Sequence, residues 1–444
     1  MTEQKRFSGY ETVVDLSDED AELTHVQKGS PCGEYLRRFW HPVLLSDELE
    51  DLPKLIKILG EELVLFRDKS GDIGLLHKHC AHRGASLEYG IVAEHGIICC
   101  YHGWHYNIDG SLISAGSEPA NSPIHKRVVQ GAYPTYEYEG IIFAYLGPID
   151  VKGNFPDFPK FDTLINSDAE KIPFSITTHC NWLQVYENTQ DPIHVLHLHA
   201  RSSGIQFGVA SGVDQIIDYR ETPIGLINVQ TRKVDKNIWV RCTESIMPNM
   251  NQGGAIWEEA EKEKFLIRSA FSRWMVPLDN FTTKTIGWRF FSKELDPRDQ
   301  GDKSKVGIES IDFVGQTKFE RSYEESQLQP GDYEAQVSQR TIARHNLENL
   351  ASSDRGVVKI RELIRKNIRA SIEDKNINYI PYNQKNEIPT YVQDTVIKSN
   401  LDFSKQREFS KKLVDQLLED FKLSLDERRR NIYIFCENFK KNNC

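Results

Sequence analysis

Two short segments, Cys80-Ala81-His82 and Cys99-Cys100-Tyr101-His102, constrain this chain more than anything else in it. Each offers a cysteine and a histidine, and sixteen residues separate them. Two loops carrying such pairs can fold toward one point and present two thiolates and two imidazoles to one metal centre. Zinc accepts that donor set. Zinc fingers, however, group the two cysteines together and the two histidines together, whereas here each segment mixes one of each. The set also suits an iron–sulfur cluster in which two His replace two Cys on one iron, a change that raises the reduction potential.

The first part of the chain reads as antiparallel β structure. Leu55–Leu59, Leu63–Phe66 and Ile73–Leu76 are strand-like, with a turn at Asp68-Lys69-Ser70-Gly71, and residues 140–146 form a closing strand before Gly147-Pro148. These features divide the 444 residues into an N-terminal arm (1–35), a β domain (36–150), a second domain (151–400) and a helical extension (401–444). In the extension, Val414, Leu417, Leu418 and Phe421 repeat as on an amphipathic helix. The formal charge of −10 argues against nucleic-acid or anionic-membrane partners. No apolar run is long enough to span a bilayer, no signal peptide is evident, and the cysteines are scattered, so a reducing, cytoplasmic location is expected.

The flanking residues go further. Cys80-Ala81-His82-Arg83-Gly84 and Cys99-Cys100-Tyr101-His102-Gly103-Trp104 resemble the two halves of the Rieske [2Fe-2S] signature, with Cys100 standing where proline is usual. The resemblance implies Cys80, His82, Cys99 and His102 as cluster ligands. Cys99 keeps the Cys-x-x-His spacing to His102, which leaves Cys100 beside the set.

A second group lies in residues 181–199, where Trp182, Val185 and Tyr186 recur at helical spacing and His194, His197 and His199 fall within six positions. On a regular helix His194 and His197 share a face, and His199 is turned roughly 140° away. A widened π-type turn would instead bring His194 and His199 together. Geometry alone leaves His197 and His199 in competition. The run Glu187-Asn188-x-x-Asp191-x-x-His194-x4-His199 is similar to the helix motif of Rieske non-heme iron oxygenases, which implies that His194 and His199 bind mononuclear iron.

An open iron site with two His needs one carboxylate. The segment 348–358 resembles the late helix of phthalate-dioxygenase-type members, implying Asp354 as the third ligand; as a residue read by itself, Asp354 after Ser352-Ser353 could equally cap a helix. Asp191 is the candidate catalytic residue, available to link an iron-ligand imidazole to a cluster-ligand imidazole of a neighbouring subunit, although Asp-Pro also starts helical turns. Residues 296–332 read as a charged lid or surface insertion.

The resemblance, covering about residues 20–400, implies an α+β fold: an antiparallel β Rieske domain followed by a catalytic domain whose antiparallel sheet is covered by helices in a helix-grip arrangement. It further implies a [2Fe-2S] cluster, mononuclear Fe(II), O2 as co-substrate, a separate NAD(P)H-dependent reductase of flavin or ferredoxin type, and a homotrimer or stacked trimers. The expected activity is hydroxylation of a small aromatic substrate. Alternatives are an O- or N-demethylating monooxygenase and, from another class, a Rieske electron carrier with a degenerate second site. Arg201 and Arg241 could bind a substrate carboxylate or form structural ion pairs.

Overall fold

A computed structural model describes residues 19–443 apart from 120, 151, 166, 205, 314, 317–320, 374–386 and 400. Of the N-terminal arm, residues 1–18 therefore lie outside the described residues. Residues 19–36 lie against the second domain: Asn181 Nδ2 donates to Thr24 O (2.9 Å), Trp182 Nε1 donates to Leu23 O (3.1 Å), and Asp20 and Glu22 pair with Arg365.

The first domain holds three small antiparallel sheets. Glu61–Arg67 shows how the sequence builds it. Alternate side chains of a strand point to opposite faces. Val64 and Phe66 join Leu76, Ile97, Trp104 and Tyr106 in a small core beneath Cys80 and Cys99, while Leu63 and Leu65 enter the main core. Both faces of this strand are covered, which is why it reads as a continuous apolar run. The strands Ile91–Val92, Ile97–Ile98, Trp104–Tyr106 and Leu112–Ala115 form one sheet; the second Cys-His loop joins two of its strands, and the first leads into it from Ile73–His77 of the neighbouring sheet.

The second domain is a nine-stranded antiparallel sheet. Along its main path the order is Glu170–Thr178, Thr283–Phe291, Phe271–Pro277, Met250–Gly253, Asn237–Ile246, Gly225–Val234 and Gln215–Thr222. Gln393–Lys398 pairs with both Asn237–Ile246 and Lys264–Ile267. The helix Arg355–Glu373 buries Val357, Ile360, Ile364 and Ile368, spaced three or four residues apart, and packs on Pro31–Leu36 and Trp182–Glu187. The architecture is α+β, an antiparallel sheet with helices against it.

The tail forms two helices, Phe403–Glu419 and Leu425–Asn443, packed on each other and on the sheet. Val414 and Leu417 are buried as the spacing predicts, with Leu418 and Phe421 partly buried against the core. The second helix carries a charge inward. Arg428 donates to Asp162 Oδ2 (2.8 Å) and Thr390 O (2.7 Å), and Arg268 reaches the same carboxylate at 3.0 Å. Removing one member of such a buried group strands its partners away from water, so Arg428→Ala is expected to destabilise the protein by about 3 kcal/mol. Thermal unfolding would show a clearly lowered midpoint for Arg428→Ala and none for Lys412→Ala, whose pair with Glu408 is half exposed on both sides.

Candidate active site

The two Cys-His loops are built alike. Cys80 N donates to Ala85 O (2.9 Å) and Gly84 N to Cys80 O (2.9 Å); Cys99 N donates to Trp104 O (2.8 Å) and Gly103 N to Cys99 O (3.0 Å). Gly84 and Gly103 sit at φ +76° and +68°, a left-handed conformation that glycine adopts without a Cβ penalty. Each cysteine thus starts a closed turn that points its sulfur inward. Cys80 and Cys99 are buried, whereas Cys100 is exposed. Burial pushes the Cys99 thiol above its usual range, and Cys80, close enough to hydrogen-bond, pushes it further. The His82 and His102 rings lie 4.6 Å apart, and His82 stacks on Trp104 at 4.4 Å with the planes 4° apart. Two adjacent sulfurs inside and two imidazoles toward the surface fit the donor set of a [2Fe-2S] cluster with mixed ligation. Tyr106, whose hydroxyl lies 3.1 Å from Cys80 Sγ, adds a hydrogen bond to that sulfur.

The second site forms where regular helix gives way. Asn181 caps Trp182–Glu187, a tight turn follows at Asn188–Gln190, and Asp191 with Pro192 starts Pro192–His197. A π-helical turn at Leu198–Ser202 then widens the spiral. His194 and His199 end with ring centroids 5.4 Å apart, and His197 is exposed. The π-turn supplies the offset that a regular helix cannot.

Both imidazoles present Nε2 to the same oxygen. His199 Nδ1 pairs with Gln206 Oε1 (2.8 Å) and His194 Nδ1 with Asp191 O. An acceptor on Nδ1 fixes the tautomer and leaves an Nε2 lone pair for a metal. The Nε2 atoms of His199 and His194 lie 3.1 and 3.6 Å from Asp332 Oδ1. One ligand atom from each of His194, His199 and Asp332 falls within 4.8 Å of the others, a grouping able to hold a metal ion. Burial opposes charge on Asp332, yet the His199 and His194 imidazoles and the Gln316 amide (2.9 Å) hold its carboxyl far below the usual carboxylate range.

The carboxylate beside the two histidines is therefore Asp332 and not Asp354, which corrects the expectation. Asp354 Oδ2 accepts from Ala351 N (2.6 Å) and closes the 3-10 turn Ser352–Asp354 that leads into the helix Arg355–Glu373. Asp332 opens the short helix Asp332–Val337, in a stretch that reads as a surface insertion. Gly331 packs against Gly315 so closely that a Cβ there would meet Gly315 Cα at 2.5 Å, which lets this segment close onto the site. Asp191 Oδ1 accepts from Ile193 N (3.2 Å) as a helix cap, while Oδ2 stands 3.9 Å from His194 Nδ1 and the side chain stays 32% exposed. Arg201 and Arg241 are ion-paired, to Asp214 and Asp394 respectively.

The three convergent side chains border a cavity of about 110 Å³ that Val195, Phe207, Ile256, Phe271 and Phe313 also line. Its mixture of an apolar wall and a few polar groups is that of a small-molecule site.

Comparison with known proteins places these two centres in context. Residues 39–134 match the Rieske [2Fe-2S] domain family. The chain is 44% identical over 376 residues to the tert-butanol monooxygenase / tert-amyl alcohol desaturase oxygenase subunit of Aquincola tertiaricarbonis, covering 81% of this chain and 79% of that one. It is 35% identical over 366 residues to the phenoxybenzoate dioxygenase subunit alpha of Ectopseudomonas oleovorans, covering 79% and 84%. The chain belongs to the Rieske non-heme iron oxygenases, as an oxygenase subunit. It is an oxidoreductase that uses a [2Fe-2S] cluster, a mononuclear iron and O2, and it works with a reductase or ferredoxin partner. In fold it is similar to a caffeine-bound variant of NdmA from Pseudomonas putida CBB5, with a TM-score of 0.56 and 19% identity over 79% of this chain and 95% of that one.

Hydrogen bonds to cluster sulfurs help set reduction potentials. Tyr106→Phe removes the bond to Cys80 Sγ and should lower the cluster potential without loss of cluster, which spectroelectrochemical titration of the purified protein would measure.

Proposed function

We propose that Cys80, His82, Cys99 and His102 hold the cluster, that His194, His199 and Asp332 hold the mononuclear iron, and that this iron oxidises a small, mainly apolar substrate held in the adjoining cavity. The observation that carries the reading is the approach of both Nε2 atoms to one Asp332 oxygen beside that cavity. His194, His199 and Asp332 would hold iron with coordination positions left open, and the chemistry such a centre would supply is activation of O2 with electrons from the cluster. The same convergence speaks against an electron carrier with a degenerate second site.

The chain's own residues do the positioning. Gln206 and the Asp191 carbonyl orient the imidazoles, and Gln316 holds the Asp332 oxygen that faces away from them. Val195, Phe207, Ile256, Phe271 and Phe313 exclude water around the substrate's reacting carbon. Phe271 also fills the space a Cβ on Gly253 would take, since that atom would meet its ring at 2.2 Å. A cavity of about 110 Å³, smaller than the roughly 150 Å³ apolar cavity that accepts benzene, limits the buried part of the substrate to no more than one aromatic ring. Ring hydroxylation is the reaction we assign.

Electrons come from an NAD(P)H-dependent reductase. We place the chain in a trimer in which exposed His102 of one subunit approaches half-exposed Asp191 of the next. Asp191 suits this role because its Oδ2 faces the Nδ1 side of His194 and is not used by the helix cap. None of the seven cysteines among the described residues is in a disulfide, which suits the cytoplasm.

Metal analysis tests the ligand sets. Asp332→Ala should lose the mononuclear iron and product formation while keeping the cluster spectrum, and Asp354→Ala should keep both metals. Cys99→Ser should abolish the Rieske visible and EPR signals, whereas Cys100→Ser retains them. Iron lost on removing Asp354 but kept on removing Asp332 would overturn the assignment. Asp191→Asn should load both centres yet slow single-turnover reoxidation of the cluster by about 100-fold.

A further inference from the structure

The cavity beside His194, His199 and Asp332 is lined by a guanidinium whose terminal nitrogens no carboxylate of the described residues reaches. Four charged side chains other than histidine line it: Asp191, Arg241, Arg273 and Asp332. Three are committed. Asp332 is shared between two imidazoles and Gln316. Asp191 caps its helix and faces His194. Arg241 lies against Asp394, with Nε to Oδ1 at 2.8 Å and Nη2 to Oδ2 at 3.1 Å, and Trp239 Nε1 and Ala255 N complete that carboxylate's bonding at 2.8 Å each. Gly254 makes room for the pair, since a Cβ there would stand 2.2 Å from Asp394 Oδ2.

Arg273 has no such partner. It lies on the strand Phe271–Pro277 opposite Asn251, and its Nε donates to Asn251 Oδ1 (3.1 Å). Its guanidinium carbon stands 4.8 Å from the centre of the Phe271 ring. Among the described residues no carboxylate comes within 4.0 Å of it, and its two terminal nitrogens have no protein acceptor. A second guanidinium adds to the imbalance. Arg232, 1% exposed, donates through Nη2 to Gln230 Oε1 (2.8 Å), and Gln230 lines the same cavity; Arg232 Nε and Nη1 are buried without acceptors. Arg232 and Arg241 thus share the one carboxylate of Asp394, while the carboxylate that acts on Arg273, that of Asp332, does so from a distance and is already held by two imidazoles and Gln316. Holding cations away from water without counter-charge is costly, and a fixed fork of donors with nothing to donate to is suited to an anionic oxygen pair.

We propose that Arg273 is a specificity-determining residue that takes a carboxylate of the substrate on its terminal nitrogens, so that the substrate is a small monoanionic acid whose apolar part lies among Val195, Phe207, Ile256, Phe271 and Phe313. Asn251 and Phe271 hold the guanidinium in place, one through Nε and the other through its ring face, leaving the Nη pair to the ligand. This rests on the reading of the cavity as the substrate site.

Binding of benzoate and of benzamide to the metal-loaded protein, measured by isothermal titration calorimetry, tests the assignment because the two probes match in size and differ in charge. Wild type should bind benzoate at least about tenfold more tightly than benzamide, Arg273→Gln should bring the ratio near one, and Arg273→Lys should restore part of it. Asn251→Asp places a carboxylate against Arg273 Nε and should weaken benzoate about tenfold while sparing benzamide, which decides the matter even where Arg273→Gln folds poorly. Equal affinities in wild type, binding of neither probe at millimolar concentration, or an unchanged ratio in Arg273→Gln or Asn251→Asp would overturn it. Iron content is read separately: wild type without mononuclear iron would refute the ligand set, while the benzoate-to-benzamide ratio still decides the role of Arg273.

Discussion

The contact between Asp332 and the two imidazoles is the interaction on which the catalytic half depends. A carboxylate taken out of water must be compensated. Here Gln316 supplies a hydrogen bond to one oxygen, and a cation held between the other oxygen and the His199 and His194 imidazoles would supply the rest. Residues far apart in the chain are thereby drawn to one point: His199 and Asp332 are 133 positions apart. The break in regular helix, the π-turn and the close approach of Gly331 to Gly315 all serve that convergence.

Charge is managed differently in the rest of the second domain. Glu187 is gripped by Arg361 through two bonds, 2.6 and 2.7 Å, and Asp394 by Arg241, Trp239 and a backbone amide. These groups are saturated and rigid. The metal-type triad and the Arg273 wall stand out against them because their bonding capacity is not used up inside the protein. That contrast, more than burial or cavity size, separates chemistry from scaffolding here.

Much of this was legible in the residues themselves. The mixed Cys-His pairs marked one centre because both loops are local and their spacing is short. The strands showed because Val64 and Phe66 alternate with Leu63 and Leu65 between two cores. His194 and His199 were less certain by spacing, since regular helical geometry favours His197 and the widened turn has no sequence signature of its own. Asp332 was hidden: Pro330-Gly331-Asp332 reads as an ordinary turn, and only a long-range contact gives it meaning. Asp354 drew attention through its neighbours, yet spends its carboxylate on the backbone of Ala351. Arg241 was ambiguous for the same reason, because Asp394, its partner, is 153 positions away.

The order in which the large sheet is threaded has a consequence for biosynthesis. Gln393–Lys398 lies between strands that precede it by more than a hundred residues, Asn237–Ile246 and Lys264–Ile267, and Arg428 supplies a cation to Asp162 from still farther along. The β domain has its strands in hand by residue 145, so it can form while the ribosome is still at work. The iron-binding half cannot: its sheet stays open until Gln393–Lys398 has been made, which at roughly 5–20 residues per second is many seconds after the β domain has its last strand, and a chain released in that interval would carry an electron-transfer domain joined to an unfinished oxygenase.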